Sequence, residues 1–378
     1  MSPAPSLKDE AVVSLFSKYR DRDLVIKIAE RIAEAAGGDP LRIMHVCGTH
    51  EWAITHNGLR DLLPEGVQVV AGPGCPVCVT PGGEIDALCR LALEQGVAVT
   101  TFGDVLRVPG YKWSLAEAKA SGADIRVVYG ISDAIRMARQ ETARDFVHFA
   151  IGFETTAPTT AIEVIKGPPG NFSVFASHKL IPPAMEYLLE SGAGIDGFIC
   201  PGHVSTIIGA DAYRDLAARY AKPMAVAGFE PLDIMLAILN IALQRKRGVA
   251  EVYNEYARAV RGPGNKVALR AMEKAFKVTD AYWRGIGMIP GSGLGLREDY
   301  IKYDTAAKYG IAASGGERMP EGCSCGEVLL GTLRPEECPL FGRGCNPEQP
   351  VGPCMVSIEG TCAIAFKYSD LKLRSRRP

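Results

Sequence analysis

The chain has 378 residues, 47% hydrophobic and 22% charged, with 42 lysines and arginines against 43 aspartates and glutamates. A net charge of −1 offers no basic surface for nucleic acid or anionic lipid, and no apolar run approaches the roughly 18–20 residues that cross a bilayer. The opening MSPAPSLKDEAVV lacks the charged and apolar regions of a secretory leader, so a cytoplasmic location is expected.

Residues 8–36 read as helical and introduce a short N-terminal segment, 1–40. LRIMHVC (41–47), VQVVAG (67–72), VAVTTF (97–102) and IRVVYG (125–130) then read as buried parallel strands, interleaved with helical patterns. One such helix opens at Pro81 and Gly82, with Thr80 as the expected cap, and runs to Gln95. Residues 131–141 carry Ile131, Ala134, Ile135 and Ala138 on one helical face. The strand pattern restarts with DFVHFAIGF (145–153), FSVFASH (172–178), IDGFICPG (195–202) and KPMAVAGF (222–229). A helix beginning near Pro231, striped by Ile234, Ile238 and Ile241, ends in Arg245-Lys246-Arg247 and Gly248. The expected fold class is α/β: two similar parallel-sheet domains, 41–130 and 131–248, followed by a loop-rich iron–sulfur region. That last region, 249–378, begins with helical stretches at 250–261 and 266–277 and becomes rich in glycine, proline and cysteine from Gly315. Such a segment cannot order itself by apolar burial and needs a staple.

The 11 cysteines are an odd number in a chain without an export signal, which argues for metal or redox chemistry over structural disulfides. Cys325, Cys338, Cys345 and Cys362 are spaced by 12, 6 and 16 residues. This spacing lacks the tight paired knuckles of zinc ribbons, and four thiolates on glycine-rich loops suit a 4Fe–4S cluster; zinc and free thiols remain alternatives. Cys323 and Cys354 are left over, as buried small hydrophobes or as a redox pair beside the cluster. GPGCPVC (72–78) follows a strand and precedes a helix, placing Cys75 and Cys78 at the carboxyl edge of the first sheet, where α/β proteins bind ligands. HVCGTHE (45–51) brings Cys47 to the same edge, with Thr49 as a capping residue and His50 and Glu51 beside the thiol. GFETTAP (152–158) and PGHVSTIIG (201–209) put Glu154, Thr155, Thr156, His203 and Ser205 at later strand ends, partly explained as helix caps. Nucleotide binding is disfavoured: no phosphate-loop sequence appears, and GSGLG (291–295) lacks a lysine and a strand–helix context.

Together, CGTHE, GPGCPVC, GFETT, PGHVSTIIG, the cysteine array and GPCMVSIEG (352–360) resemble the HypD family of NiFe-hydrogenase maturation proteins across nearly the whole chain. The resemblance implies two α/β domains with a cluster-bearing region. It implies a scaffold with redox activity, not a conventional enzyme, on which iron gains one CO and two cyanides before transfer to a hydrogenase large subunit. A HypC-type partner sharing the iron and HypE as cyanide donor are implied too. By position, Cys47, Cys75 and Cys78 match the family's iron-site and redox thiols, and Cys325, Cys338, Cys345 and Cys362 its 4Fe–4S ligands. A thiol–disulfide oxidoreductase and a zinc-stapled interaction protein are the rival readings. The basic tail KLRSRRP (372–378) reads as a solvated end.

Overall fold

The computed structural model describes residues 17–312 and 319–375, with the side chains of 369–375 excepted. The stretch 8–16 of the expected first helix, Gly315 and the last three tail residues lie outside the described residues. The fold is α/β. All eight expected strands form: β1 (Leu41–His45), β2 (Val67–Ala71), β3 (Ala98–Thr101), β4 (Ile125–Val127), β5 (Phe146–Gly152), β6 (Phe172–His178), β7 (Gly197–Pro201) and β8 (Met224–Ala227). The helix Ile131–Gln140 buries the four residues expected, and the helix Pro231–Arg247 ends at Gly248 in a left-handed conformation (φ 68°).

The strands are shared out differently from the division at residue 130. The first sheet runs β2–β1–β7–β8 and gains a fifth strand, β9 (Val252–Asn254); the second runs β4–β3–β5–β6. All pairings within them are parallel. The chain thus starts one sheet, leaves after β2 to build the other, and returns at β7. A repeated strand–helix rhythm carries no information on which strands pair, since every buried parallel strand has the same apolar signature.

This topology gives each sheet a point where strand order reverses, the usual place for a ligand crevice. In the first sheet it lies between β1 and β7, bringing Cys47 beside the PGHVS turn; in the second it lies between β3 and β5, at GFETT. The two crossings between sheets run through the Cys75/Cys78 loop with the helix Gly82–Glu94, and through the helix Ile181–Glu190. One continuous core, including Leu88, Phe149, Phe198, Tyr213 and Trp283, fills the space between them.

Two local expectations are corrected. Residues 250–261 are not helical, because Val252–Asn254 pair with β8 and extend the sheet edge. The helix Lys266–Ala275 passes directly into an antiparallel hairpin, β10 (Phe276–Trp283) and β11 (Gly287–Leu296), which contains GSGLG. There the missing side chain matters for packing: a Cβ on Gly293 would lie 2.8 Å from that of Ala281. Among the described residues no helix is long and apolar enough to cross a membrane.

His148 and His178 are buried in the second sheet, bonded to Thr100 (3.1 Å) and Thr160 (3.0 Å). Burial lowers their pKa values to about 4 and about 3. A histidine depressed in the folded state costs stability as pH falls below its unfolded value of about 6.5, on the order of 2 kcal/mol each at pH 5. Glu154, raised by burial to about 7, works in the opposite sense and returns stability on acidification. The histidines prevail, so denaturant stability should fall between pH 7 and pH 5. His178→Gln, which keeps a hydrogen bond to Thr160, should remove about 2 kcal/mol of that fall. An unchanged pH dependence would refute the assignment.

Candidate functional site

β1 delivers Val46 and Cys47 to the start of the helix Gly48–His56, where Cys47 itself, extended (φ −154°), occupies the cap position expected of Thr49. The GPGCPVC loop lies backbone to backbone against this turn. Gly72 N–H donates to His45 O (2.8 Å), and Gly48 N–H donates to Gly74 O (3.1 Å). A Cβ on Gly74 would fall 2.0 Å from Cys47 N, so only glycine permits this approach. Cys75 and Cys78 are buried and joined by a disulfide. Thr80 does not cap the next helix; its hydroxyl donates to Pro76 O (2.8 Å) and closes the loop, and Pro81 precedes the first turn. The three expected thiols therefore share one sheet edge.

Across the reversal point, the His203 ring lies 4.1 Å from that of Phe229, which lies 5.0 Å from His50. Ser205 donates to Pro201 O (2.8 Å) and bonds the buried Tyr213 hydroxyl (3.0 Å). The C-terminal region covers the same edge. Thr49 Oγ1 donates to Glu359 Oε1 (3.1 Å), and a Cβ on Gly48 would lie 2.5 Å from the Glu359 Cβ.

Burial pushes the Cys47 thiol up to about 11, with the Glu359 charge adding to the rise and the backbone N–H groups of His50 and Thr49 opposing it. The free residue is a thiol at neutral pH, and capture of a metal would release its proton. His50 donates from Nε2 to Gly228 O (2.9 Å) and Ala227 O (3.2 Å), leaving Nδ1 as an unprotonated buried nitrogen with no hydrogen-bond partner among the described residues. Burial, reinforced by His45, lowers its pKa to about 3, so it is a neutral donor. Glu51 is differently employed. Burial alone would raise its pKa, but Arg60 (2.6 Å) and His45 (2.8 Å) outweigh that and hold it well below the usual carboxylate range. It fastens the helix to β1 through His45 and to Arg60.

In the C-terminal region, one cavity is lined by Cys323, Cys325, Cys338, Cys345 and Cys362 together with Leu340, Phe341 and Met355. Five thiols, one more than expected, surround it without a histidine or carboxylate. A donor set of thiols alone, on a partly apolar lining, fits an iron–sulfur cluster better than a hard cation. Val351 N–H points at Cys345 Sγ (3.3 Å), and a Cβ on Gly352 would lie 2.6 Å from the sulfurs of both Cys323 and Cys325. Among the described residues no three histidine, cysteine or carboxylate groups converge as a single ion would require. Interaction with Cys325 and Cys362, together with full burial, raises the Cys354 thiol, and interaction with Cys325 raises that of Cys323. Cys325 opens the short helix Cys325–Leu329 and faces inward, while Cys323 stays half-buried in the preceding loop. Interaction with Cys325 and Cys354 brings Cys362 down to about 6.

The family model for HypD, described as the hydrogenase formation hypA family, matches residues 23–369. The chain belongs to the HypD family. It is 48% identical over 352 residues to a hydrogenase expression/formation protein of Methanocaldococcus jannaschii, covering 92% of this chain and 98% of that one. It is 44% identical over 373 residues to the hydrogenase maturation factor HypD2 of Bradyrhizobium diazoefficiens (95% and 98% covered). To the HypD of Escherichia coli it is 43% identical over 362 residues (93% and 97% covered).

Within this HypD fold, Glu154 is buried at the second sheet's own reversal point and accepts from Ile181 N–H (2.9 Å), and both it and Cys47 act on the buried Tyr213 hydroxyl, raising its pKa behind the larger effect of burial. Thr155 is exposed, and Thr156 donates to Ile151 O (3.1 Å) to shape its turn. Two contributors escaped sequence reasoning: Glu359, which sat unremarked inside GPCMVSIEG, and the β10–β11 hairpin, whose alternating pattern in 276–296 offered a signal.

Proposed function

We propose that this hydrogenase maturation factor is the scaffold and electron-transfer protein for assembly of the Fe(CN)2CO unit of the NiFe-hydrogenase site. The nascent iron is substrate, held with a HypC-type partner at the Cys47 edge, and HypE supplies cyanide. The observation that carries this reading is the docking of Glu359 on Gly48 and Thr49, which joins the thiol-lined cavity region to the turn that bears Cys47.

Cys47 binds iron as thiolate, releasing its proton on capture; thiolate suits low-spin iron carrying strong-field ligands. The sheet fixes its position, whereas Cys75 and Cys78 sit on a loop and cycle between disulfide and dithiol. Bound in the C-terminal cavity by four of its five lining thiols, a 4Fe–4S cluster would supply single electrons at a controlled potential.

The test is infrared spectroscopy of the anaerobically purified protein with its HypC-type partner. Bands of iron-bound CO and cyanide should be present and should vanish in Cys47→Ala while cluster absorbance persists. Bands of normal intensity in that variant would exclude the role. The Cys75–Cys78 disulfide favours a second reading, a thiol–disulfide oxidoreductase. It requires turnover of a disulfide substrate by protein that never shows those bands.

A further inference from the structure

A cavity of about 580 Å³ lies where the loop 261–265 meets the helix Gly202–Ile208. Its walls include Thr206, Arg261, Asn265, Lys266 and Val267, and they hold two cations and no carboxylate. Backbone contacts fix these walls. Asn265 N–H donates to Ile207 O (2.8 Å), Asp211 N–H to Gly262 O (3.0 Å) and Ala210 N–H to Arg261 O (3.3 Å). A Cβ on Gly209 would lie 2.1 Å from Gly262 O, and one on Gly264 2.4 Å from Ile207 O, so the two segments touch as only glycine allows. Thr206, whose hydroxyl donates to His203 O (2.6 Å), joins the cavity to the helix that borders the Cys47 edge.

The lining has the chemistry of an anion receptor. Arg261 carries a planar fork of N–H donors that matches two oxygens of a phosphate or carboxylate, and Lys266 carries a compact ammonium. These like charges share one cavity and repel each other until an anion enters. Asn265 Oδ1 accepts from Val267 and Ala268 N–H (3.1 Å each), capping the helix Lys266–Ala275. The cap occupies those backbone donors, so recognition falls to side chains, with Asn265 Nδ2 as a further donor. Asp211 lies against Gly262 but is held by Arg214 (2.7 Å) and does not line the cavity. The volume falls within the roughly 300–1,000 Å³ of small-molecule sites, which points to an organic ligand. We propose that this cavity binds a small organic dianion, a phosphate ester or a dicarboxylate, gripped by Arg261 and Lys266.

The measurement is calorimetric titration of the anaerobically purified full chain at low ionic strength, with glycerol phosphate and succinate as probes. At least one probe should bind at a single site per chain, more weakly as salt is added. Its binding should slow amide hydrogen exchange in residues 261–267. Arg261→Gln and Lys266→Gln should each weaken binding about tenfold, the loss of one charge-assisted hydrogen bond. Both side chains are exposed, so neither change disturbs the core.

A second pair of variants tests the charge without removing a cation. Val267 is 72% exposed, and Val267→Glu should weaken binding about as much through repulsion, whereas Val267→Gln should not. Lys274→Gln, an exposed charge farther along the same helix, should leave binding unchanged. Tighter binding of glycerol phosphate assigns the site to phosphate esters, and tighter binding of succinate to dicarboxylates. The proposal is overturned if neither probe binds at about 1 mM, a free energy near 4 kcal/mol. It is equally overturned if Arg261→Gln and Lys266→Gln bind as the unaltered chain does, or if Lys274→Gln loses as much. These titrations involve no iron, cyanide or partner, so their outcome is independent of the assembly function.

Discussion

Gly74→Ala should abolish iron–CO and iron–cyanide bands in the partner complex as completely as loss of Cys47 does, although Gly74 has no functional group. Its added Cβ would lie 2.0 Å from Cys47 N and 2.2 Å from Val46 C, backbone atoms held by β1 that cannot move aside. The GPGCPVC loop must shift instead, breaking the Gly48–Gly74 hydrogen bond and separating the Cys75/Cys78 pair from Cys47. The stability cost of such overpacking is roughly 1–3 kcal/mol, within what a protein of this size can absorb, so a folded but inactive scaffold is expected. Cluster absorbance should persist, and alkylation of Cys47 should become faster as the turn opens. Gly130→Ala is the control, because a Cβ there meets nothing within 4 Å. Normal bands in Gly74→Ala would show that contact of the two motifs is dispensable.

The contrast between Gly74 and the chain pairing shows where the sequence was informative. GPGCPVC announces a tight loop through its composition, and the eight buried parallel strands announce themselves through apolar runs, so those strands and the edge shared by Cys47, Cys75 and Cys78 could be read directly, whereas β9 to β11, with half-exposed faces, could not. Sheet membership could not. β2 and β3 look equivalent in sequence, yet β2 pairs with β1, and β3 pairs with β4 and β5. Contacts between distant segments were equally silent: nothing in the spacing of Gly48 and Glu359, 311 residues apart by number, implies that their backbones touch. His50 and Glu51 were both read as site residues because they adjoin a thiol. On a helix, adjacent residues point about 100° apart. One consequently faces the carbonyls of Ala227 and Gly228, and the other an arginine.

Of the five thiols around the C-terminal cavity, Cys323, Cys338, Cys345 and Cys362 should prove to be the cluster ligands, with Cys325 excluded. Four thiolates complete a cubane, so one lining cysteine is surplus. Cys338, Cys345 and Cys362 all line the cavity, and interaction with Cys325 and Cys354 lowers the Cys362 thiol from its usual range. The choice lies between Cys323 and Cys325. Cys354 is fully buried, is not among the cavity-lining residues, and interacts with Cys325 and Cys362; with Cys362 on the cluster, a Cys325/Cys354 dithiol accounts for the other two at once. Cys323 is half-buried in the loop before the helix Cys325–Leu329, and its sulfur lines the cavity, open to a cluster. Replacing Cys323, Cys338, Cys345 or Cys362 singly by alanine should remove most iron and sulfide and expose this region to protease, since little else orders it. Cys325→Ala and Cys354→Ala should keep full absorbance near 400 nm (roughly, as for iron–sulfur proteins in general) while losing the disulfide that oxidant forms between them in the unaltered chain. Iron content and peptide mapping after differential alkylation measure both effects. Loss of the cluster in Cys325→Ala with retention in Cys323→Ala would restore the quartet that spacing and the family resemblance suggested, and an oxidant-induced bond from Cys354 to Cys323 would do the same.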